Sequence, residues 1–218
     1  PYLTIGFRIV VNKQGTPISA LGIMEFGNKP SDGGNLLLDH DELDRLGLSI
    51  AQRDRFIRCI YGAHDLINGT MRYCIWIEDE HLAEAMAIPA LHRRIEAVRE
   101  LRLASPDKGA RTVLAKRPHQ MKLMRIGKNQ TIIVPIHSSE SRPYMPVGLT
   151  DEKSTLTNAT YGLYDAPLWN LAIIASRLHL VWIATVCGKL KTDFRYSNTL
   201  GWNTFPVPPL TGQNKVDL

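Results

Sequence analysis

Cysteine is scarce in this sequence. The three present, Cys59, Cys74 and Cys187, are scattered and show no CxxC spacing. An odd, dispersed set argues against a disulfide framework and for a reducing cytoplasm. The seven histidines are dispersed too, and no pair has zinc-ligand spacing with a cysteine pair, so no metal is expected. Long uninterrupted apolar runs are also missing. The longest, around Leu168–Val186, is broken by Asn170, Ser176, Arg177 and His179, which argues for a buried helix and against a membrane span. No basic start followed by an apolar stretch marks a secretion signal. The chain begins at Pro1 without methionine, as expected of a piece cut from something longer.

Catalytic signatures are lacking as well. An adenine methyltransferase needs an Asn/Asp-Pro-Pro-aromatic loop to hold a flipped base, and a Gly-rich turn for its cofactor. Neither occurs, and GAHDLING (62–69) has too few glycines at the wrong spacing. A metal nuclease gathers acids and a lysine about Mg2+. Asp151-Glu152-Lys153 has those residue types, but adjacent, on what reads as a solvated polar loop. Ser138 and Ser139, beside His137, lack the elbow glycines of a nucleophilic serine. No active site is expected in this chain.

What is present is a packed core and an uneven charge. A length of 218 residues with 44% hydrophobic content supports one large domain or two small ones. Residues 1–88 hold eight Lys/Arg against twelve Asp/Glu, and residues 129–218 hold seven against six. Residues 89–128 hold eleven against three, a block that would attract a polyanion. Ordinary solvated helices carry such blocks too.

Periodicity predicts an α+β fold, strand-rich at both ends around a helical, basic middle. Strands are expected over residues 3–11 and 18–26, joined through Gly15-Thr16-Pro17, with a loop over 27–35. Asp39 and Ser49 read as N-caps of helices near 40–46 and 50–60. Residues 72–77 read as a strand, with Tyr73, Ile75 and Ile77 on one face. Asp79 would cap a helix over 80–87. Pro89 suits the first turn of a helix reaching Leu103, with Leu91, Ile95 and Val98 at helical spacing. Arg93, Arg94, Arg99 and Arg102 would decorate its outer surface. A further helix is expected over 109–116, and strands over 131–136, 144–149 and 155–160. One long helix would fill 167–186, stopped by Gly188. The whole chain, 1–218, reads as one domain, with a possible division into 1–128 and 129–218.

Lys191, Asp193 and Arg195 lie two apart in a β-prone segment, so as a strand they would share one face, with Phe194 and Tyr196 on the other. Lysine and arginine donate to guanine acceptors, and an aspartate accepts from the cytosine amino group. The same triplet also describes a solvated edge strand whose charges discourage aggregation.

The following run, RYSNTLGWNTFPVP (195–208), resembles a signature near the end of the target recognition domain in MmeI-like restriction–modification enzymes. These are single polypeptides that join an endonuclease, an adenine-N6 DNA methyltransferase and a recognition domain. FGNKPSDGGNLLL (26–38), GAHDLINGTMRYCIWIED (62–79), IIVPIHSSESRPYMPVG (132–148) and SRLHLVWIATVCGKL (176–190) are similar to the same family in the same order. The resemblance implies sequence-specific binding of double-stranded DNA by a module without chemistry of its own. The partners it implies are the methyltransferase and endonuclease domains of the same polypeptide. It implies S-adenosylmethionine and Mg2+ for that full-length protein; the cysteine pattern and the broken apolar run are what point to the cytoplasm and away from a membrane. It also places Lys191, Asp193 and Arg195 at the DNA-facing end of the domain, as base readers.

Further candidates follow from residue chemistry. Ser138, Ser139 and Arg142 in one loop would grip a phosphate, unless Arg142 pairs with Glu140. Asn158 and Thr160 would suit close approach to bases, or simply a turn. Arg111, Lys116, Arg117, His119, Lys122 and Arg125 would neutralise backbone phosphates, though sequence order does not establish that they share a face. His179 and Trp182 read as core. Two other classes of function stay open: a catalytic fragment retaining nuclease or methyltransferase activity, and a protein-interaction domain that docks an acidic partner on the basic block.

Overall fold

The computed structural model describes residues 10–218, which divide into two compact units. One gathers residues 10–24, Ile136–Met145 and Pro167–Leu218; the other gathers Glu25–Pro135 and Pro146–Ala166. Helices and several small sheets make an α+β architecture, as the periodicity predicts. Residue 128 does not divide the units. The strand Gln130–Pro135 is flanked by Gly148–Asp151 and Thr160–Tyr164 inside the larger one. The strand expected over 3–11 lies outside the described residues except for its last two, which are irregular.

The larger unit carries two four-stranded sheets among its described residues. One is antiparallel throughout, in the order Glu25–Phe26, Thr160–Tyr164, Gln130–Pro135, Gly148–Asp151. The other runs Leu37–Leu38, Arg72–Ile75, Ile57–Tyr61, Ser154–Leu156, with its last pair parallel. This second sheet shares a core with the helix Pro89–Leu103, whose Leu91, Ile95 and Val98 are fully buried. Each such side chain contributes about 1.5–3 kcal/mol through burial. Pro89 occupies the first turn, where its missing N–H is harmless.

Local signals hold where nothing distant competes. Asp39 and Ser49 form reciprocal capping boxes with Glu42 and Gln52. The helix begun by Ser49 ends at Phe56, however, and residues 57–61 leave it for a strand. Ile57 and Ile60 bury their branched side chains in that pairing, a tertiary gain that outweighs a few tenths of a kcal/mol of helix propensity per residue. Asp79 does not cap its helix. Its carboxylate lies 2.8 Å from His119 Nε2 and accepts from Gln120 at 3.0 Å, and a short 3-10 turn, Asp79–His81, precedes Leu82–Met86. The strand expected over 144–149 begins later, at Gly148, and the one expected over 155–160 is split by a turn at Thr157–Thr160.

In the smaller unit, Gly188–Leu190, Asp193–Arg195 and His137–Ser138 form a three-stranded antiparallel sheet. The helix expected over 167–186 is two helices, Trp169–Ala175 and Arg177–Val186, bent by 61°. Ser176 breaks it: its backbone is extended and its hydroxyl accepts from the His179 N–H, capping the second helix. Among the described residues no single helix is long and apolar enough to cross a membrane, although the bent pair meets the length and composition. The strand expected over 18–26 survives only as Glu25–Phe26. Side chains take the place of a ladder over the rest. Gly22 donates to Asn170 Oδ1 and accepts from Trp202 Nε1, and Met24 accepts from Asn198 Nδ2. Trp202, Asn198 and Asn203 of the RYSNTLGWNTFPVP run thus anchor the segment 14–24 within their own unit.

Candidate nucleic-acid interface

Lys191, Asp193 and Arg195 do not sit on one strand. The chain turns at Lys191-Thr192, placing Leu190 opposite Asp193 and Gly188 opposite Arg195. Lys191 adopts φ of 57°, in the left-handed region that costs a non-glycine residue about 1–2 kcal/mol. The shared face therefore covers only part of the triplet, because the hairpin begins two residues earlier than the alternation suggests. Asp193 and Arg195 are exposed, Phe194 and Tyr196 are buried, and Lys191 occupies the exposed turn.

The third strand completes that outward face. His137 stands opposite Arg195 and is exposed, so Asp193, Arg195 and His137 form one polar surface. Ser138 stands opposite Phe194 and is only 4% exposed. It is a core position of the sheet, which corrects its expected role at a phosphate. On the inner face Lys189 Nζ lies 5.4 Å from the Phe194 ring centroid and 3.0 Å from Glu140.

Glu140, the expected alternative partner of Arg142, is engaged by Lys189. Ser139 and Arg142 share a tight turn, with the Arg142 N–H donating to the Ser139 carbonyl at 3.3 Å. The Ser139 and Ser141 hydroxyls are 2.9 Å apart. Arg142 Nε is buried without a hydrogen-bond partner.

In the larger unit, Asn158 is exposed at a turn, its N–H bonded to the Asn28 carbonyl. Thr160 is fully buried and its hydroxyl donates to the Thr157 carbonyl. It serves the turn, and the expectation that it meets a base is corrected.

The basic set divides. Arg125 is a structural residue: it pairs with Glu25 at 2.7 Å and donates to the Phe26 carbonyl at 2.9 Å. His119 is buried, and burial outweighs its bond to Asp79 in keeping its pKa below the ordinary value. Buried His119 is not presented to a phosphate, which corrects that expectation, whereas the Arg125 side chain is 31% exposed. Arg111 donates to the Ser105 carbonyl, and Arg117 to Gln120 and to the Lys122 carbonyl. Lys116 and Lys122 are exposed, with no carboxylate partner among the described residues.

One residue expected at the surface is the most buried cation of the chain's described part. Arg102 is 1% exposed, and all five of its N–H donors reach main-chain carbonyls: Ser31, Pro30, Leu114, Arg117 and Gln120, at 2.7–3.0 Å. Its position was readable, since 91, 95, 98 and 102 form one helical stripe. No group of three or more His, Cys, Asp or Glu among the described residues is arranged to hold a metal ion. Asp151 accepts from Ser154, and Lys153 pairs with Asp54.

A family model described as "MmeI, target recognition domain" matches residues 6–209. The chain is 37% identical over 218 residues to DNA methyltransferase A of Bacillus subtilis (strain 168), covering all of this chain and 25% of that protein. It is similar to the solved structure of the type IIL restriction-modification enzyme MmeI in complex with DNA. That likeness has a TM-score of 0.89 at 30% identity, over 98% of this chain and 28% of the other. The chain thus spans about a quarter of the length of the relatives it matches.

Proposed function

The chain belongs to the MmeI target recognition domain family, and from that premise we propose that it reads a specific duplex DNA sequence as one module of a longer protein. The observation that carries this is the likeness, over 98% of the chain, to an enzyme solved with DNA. The hairpin supports it. Asp193 and Arg195 stand side by side on an outward face with His137, an acceptor and a donor fork of the kind that distinguishes cytosine from guanine. Lys191 would reach from the turn. Arg142 with Ser139 would hold a phosphate, Asn158 would lie close to a groove, and Arg111, Lys116, Arg117 and Lys122 would neutralise phosphates.

In this reading the chemistry belongs to the rest of the longer protein, an adenine-N6 methyltransferase joined to an endonuclease in one cytoplasmic polypeptide. S-adenosylmethionine and Mg2+ would be held there. No group of three or more His, Cys, Asp or Glu among the described residues is arranged to hold a metal ion, and Asp65, Asp151, Asp39 and Asp107 are engaged by Arg72, Ser154 and helix caps.

The test is selection of bound duplexes from a randomised library by the full-length protein. A defined site is expected, and Asp193→Ala with Arg195→Ala should relax its preference at one base pair while leaving the remaining positions intact. Recovery of random sequence by the unmutated protein would reject the reading. In that event, capture of an acidic protein would favour the interaction-domain alternative.

A further inference from the structure

We infer that the larger unit carries a phosphodiester-binding patch organised by buried Arg102, with Lys29 and Lys122 as its main contacts. The inference rests on the DNA-binding reading above and adds a surface remote in sequence from the hairpin. No carboxylate is hydrogen-bonded to buried Arg102. Its N–H donors are met by the carbonyl dipoles of two loops, residues 30–31 and 114–120, while the nearby Asp32 carboxylate attracts its charge. Five bonds of this type hold the two loops together, and the cations adjoining those carbonyls are held with them. Lys122 N–H donates to the Lys29 carbonyl at 2.9 Å, and Arg117 Nη2 donates to the Lys122 carbonyl at 2.9 Å. Lys116 lies between two of the carbonyls that Arg102 binds.

Lys29, Lys116 and Lys122 are all exposed. None has an ion pair among the described residues, whereas Arg53, Arg55, Arg94, Arg99, Arg125 and Lys153 of the same unit each pair with a carboxylate. Lys29 and Lys122 line one groove with Ser31, Ser105 and Gly33. Its two acids face their own backbone: Asp32 accepts from the Leu36 and Leu37 N–H groups, and Asp107 from Ala110 N–H. Those bonds leave both carboxylates charged, but Lys29, Lys122 and Arg102 outnumber them, so the groove keeps a net positive charge beside the Ser31 and Ser105 hydroxyls. Like charges held together repel, and a row of phosphates relieves that repulsion with release of counterions. Nothing in the patch is built to distinguish bases, so its contribution is to affinity for any duplex.

The experiment titrates the full-length protein and its Lys29→Ala/Lys122→Ala variant with a specific and a random duplex, from about 50 to about 200 mM salt. Thermal unfolding of the two proteins should coincide, since both side chains are exposed. The variant should lose affinity for both duplexes by the same factor. The slope of log affinity against log salt should fall by about 1.8, at about 0.9 per phosphate released. The ratio of specific to random affinity should not change. An unchanged slope, with the specific duplex still preferred, overturns the patch and leaves the DNA reading standing. No preference by the unmutated protein overturns the DNA reading and the patch with it.

Discussion

His179 Nε2 lies 2.9 Å from the hydroxyl of Tyr196, and neither ring reaches solvent. Tyr196 directly follows Arg195, and its N–H donates to the Ile136 carbonyl at 2.7 Å. A buried polar contact therefore ties the helix Arg177–Val186 to the strand that presents Asp193 and Arg195. The same imidazole packs edge-on against Phe205 and Trp202, with centroids 4.6 and 5.7 Å away. One histidine thus joins the helix, the strand Asp193–Arg195 and the tail of their shared unit.

Burial of this histidine makes stability depend on pH. Burial pushes the His179 pKa down to about 4, against about 6.5 in an unfolded chain. The neutral ring is the folded form. Stability is present in full above about pH 6.5 and declines as pH falls toward 4, because the unfolded state takes up the proton first. By pH 5 the loss from this group is about 2 kcal/mol. Urea unfolding at pH 7 and pH 5 should show it, and His179→Phe should remove most of that difference. An equal pH slope in both proteins would take His179 out of the account.

Lys191 offers a separation of stability from recognition. A glycine accepts its left-handed backbone without strain, so Lys191→Gly should stabilise the chain by about 0.5–1 kcal/mol. Thermal unfolding at constant pH measures this. If Lys191 reaches DNA, the stabilised variant should nonetheless bind more weakly. Strain retained at a position that function uses follows this pattern. A variant that gains stability and keeps its affinity would leave Lys191 as a turn residue alone.

In the larger unit, the side chain of Asp65 is 2% exposed and meets the Arg72 guanidinium at 2.5 Å, the Gly62 N–H at 2.7 Å and the Thr70 hydroxyl at 2.9 Å. Burial raises its pKa, but Arg72, Gly62 and Thr70 together outweigh that and hold the carboxyl below its usual range. Asp65→Asn should destabilise by about 2–3 kcal/mol, the lower end being expected because Arg72 is partly solvated. Since the folded pKa is depressed, this stabilisation is present above about pH 4 and is lost as the pH falls through the folded value. Denaturant midpoints at pH 7 for both proteins test the magnitude.

Sequence reading succeeded where a signal was local. The caps at Asp39 and Ser49, the proline start at Pro89 and the stripe Leu91, Ile95, Val98 need no distant partner, and all appear as expected. It went astray where a distant group decided the outcome. Asp79 has the chemistry of a cap but meets His119 and Gln120, forty residues on. Residues 57–60 could continue a helix but are claimed by a strand partner. The hairpin at Lys191-Thr192 lacks the Asn-Gly or Asp-Gly pair that usually announces a two-residue turn, so a single strand was the natural reading. Residue type points Arg102 to solvent, whereas its helical stripe places it inside. The family resemblance needed no such detail, because it rests on five ordered blocks.

The corrected hairpin sharpens the recognition test. Asp193 and Arg195, two apart on one strand, leave its outward face about 6–7 Å from each other, at about 3.3 Å per residue. That spacing lets both meet one base pair in the major groove, where guanine offers two acceptors and cytosine an amino donor. Arg195 would donate to the guanine and Asp193 accept from the cytosine. The double exchange Asp193→Arg with Arg195→Asp sets acceptor against acceptor and donor against donor on the original pair, at about 1–3 kcal/mol per wrong contact. Both side chains are solvent-facing, so unfolding should shift by less than about 0.5 kcal/mol. The exchanged full-length protein should select the inverted pair at one position of its site and keep the others, as sequencing of bound duplexes would report. An unaltered preference after the exchange would return these residues to the bland role of charges guarding an edge.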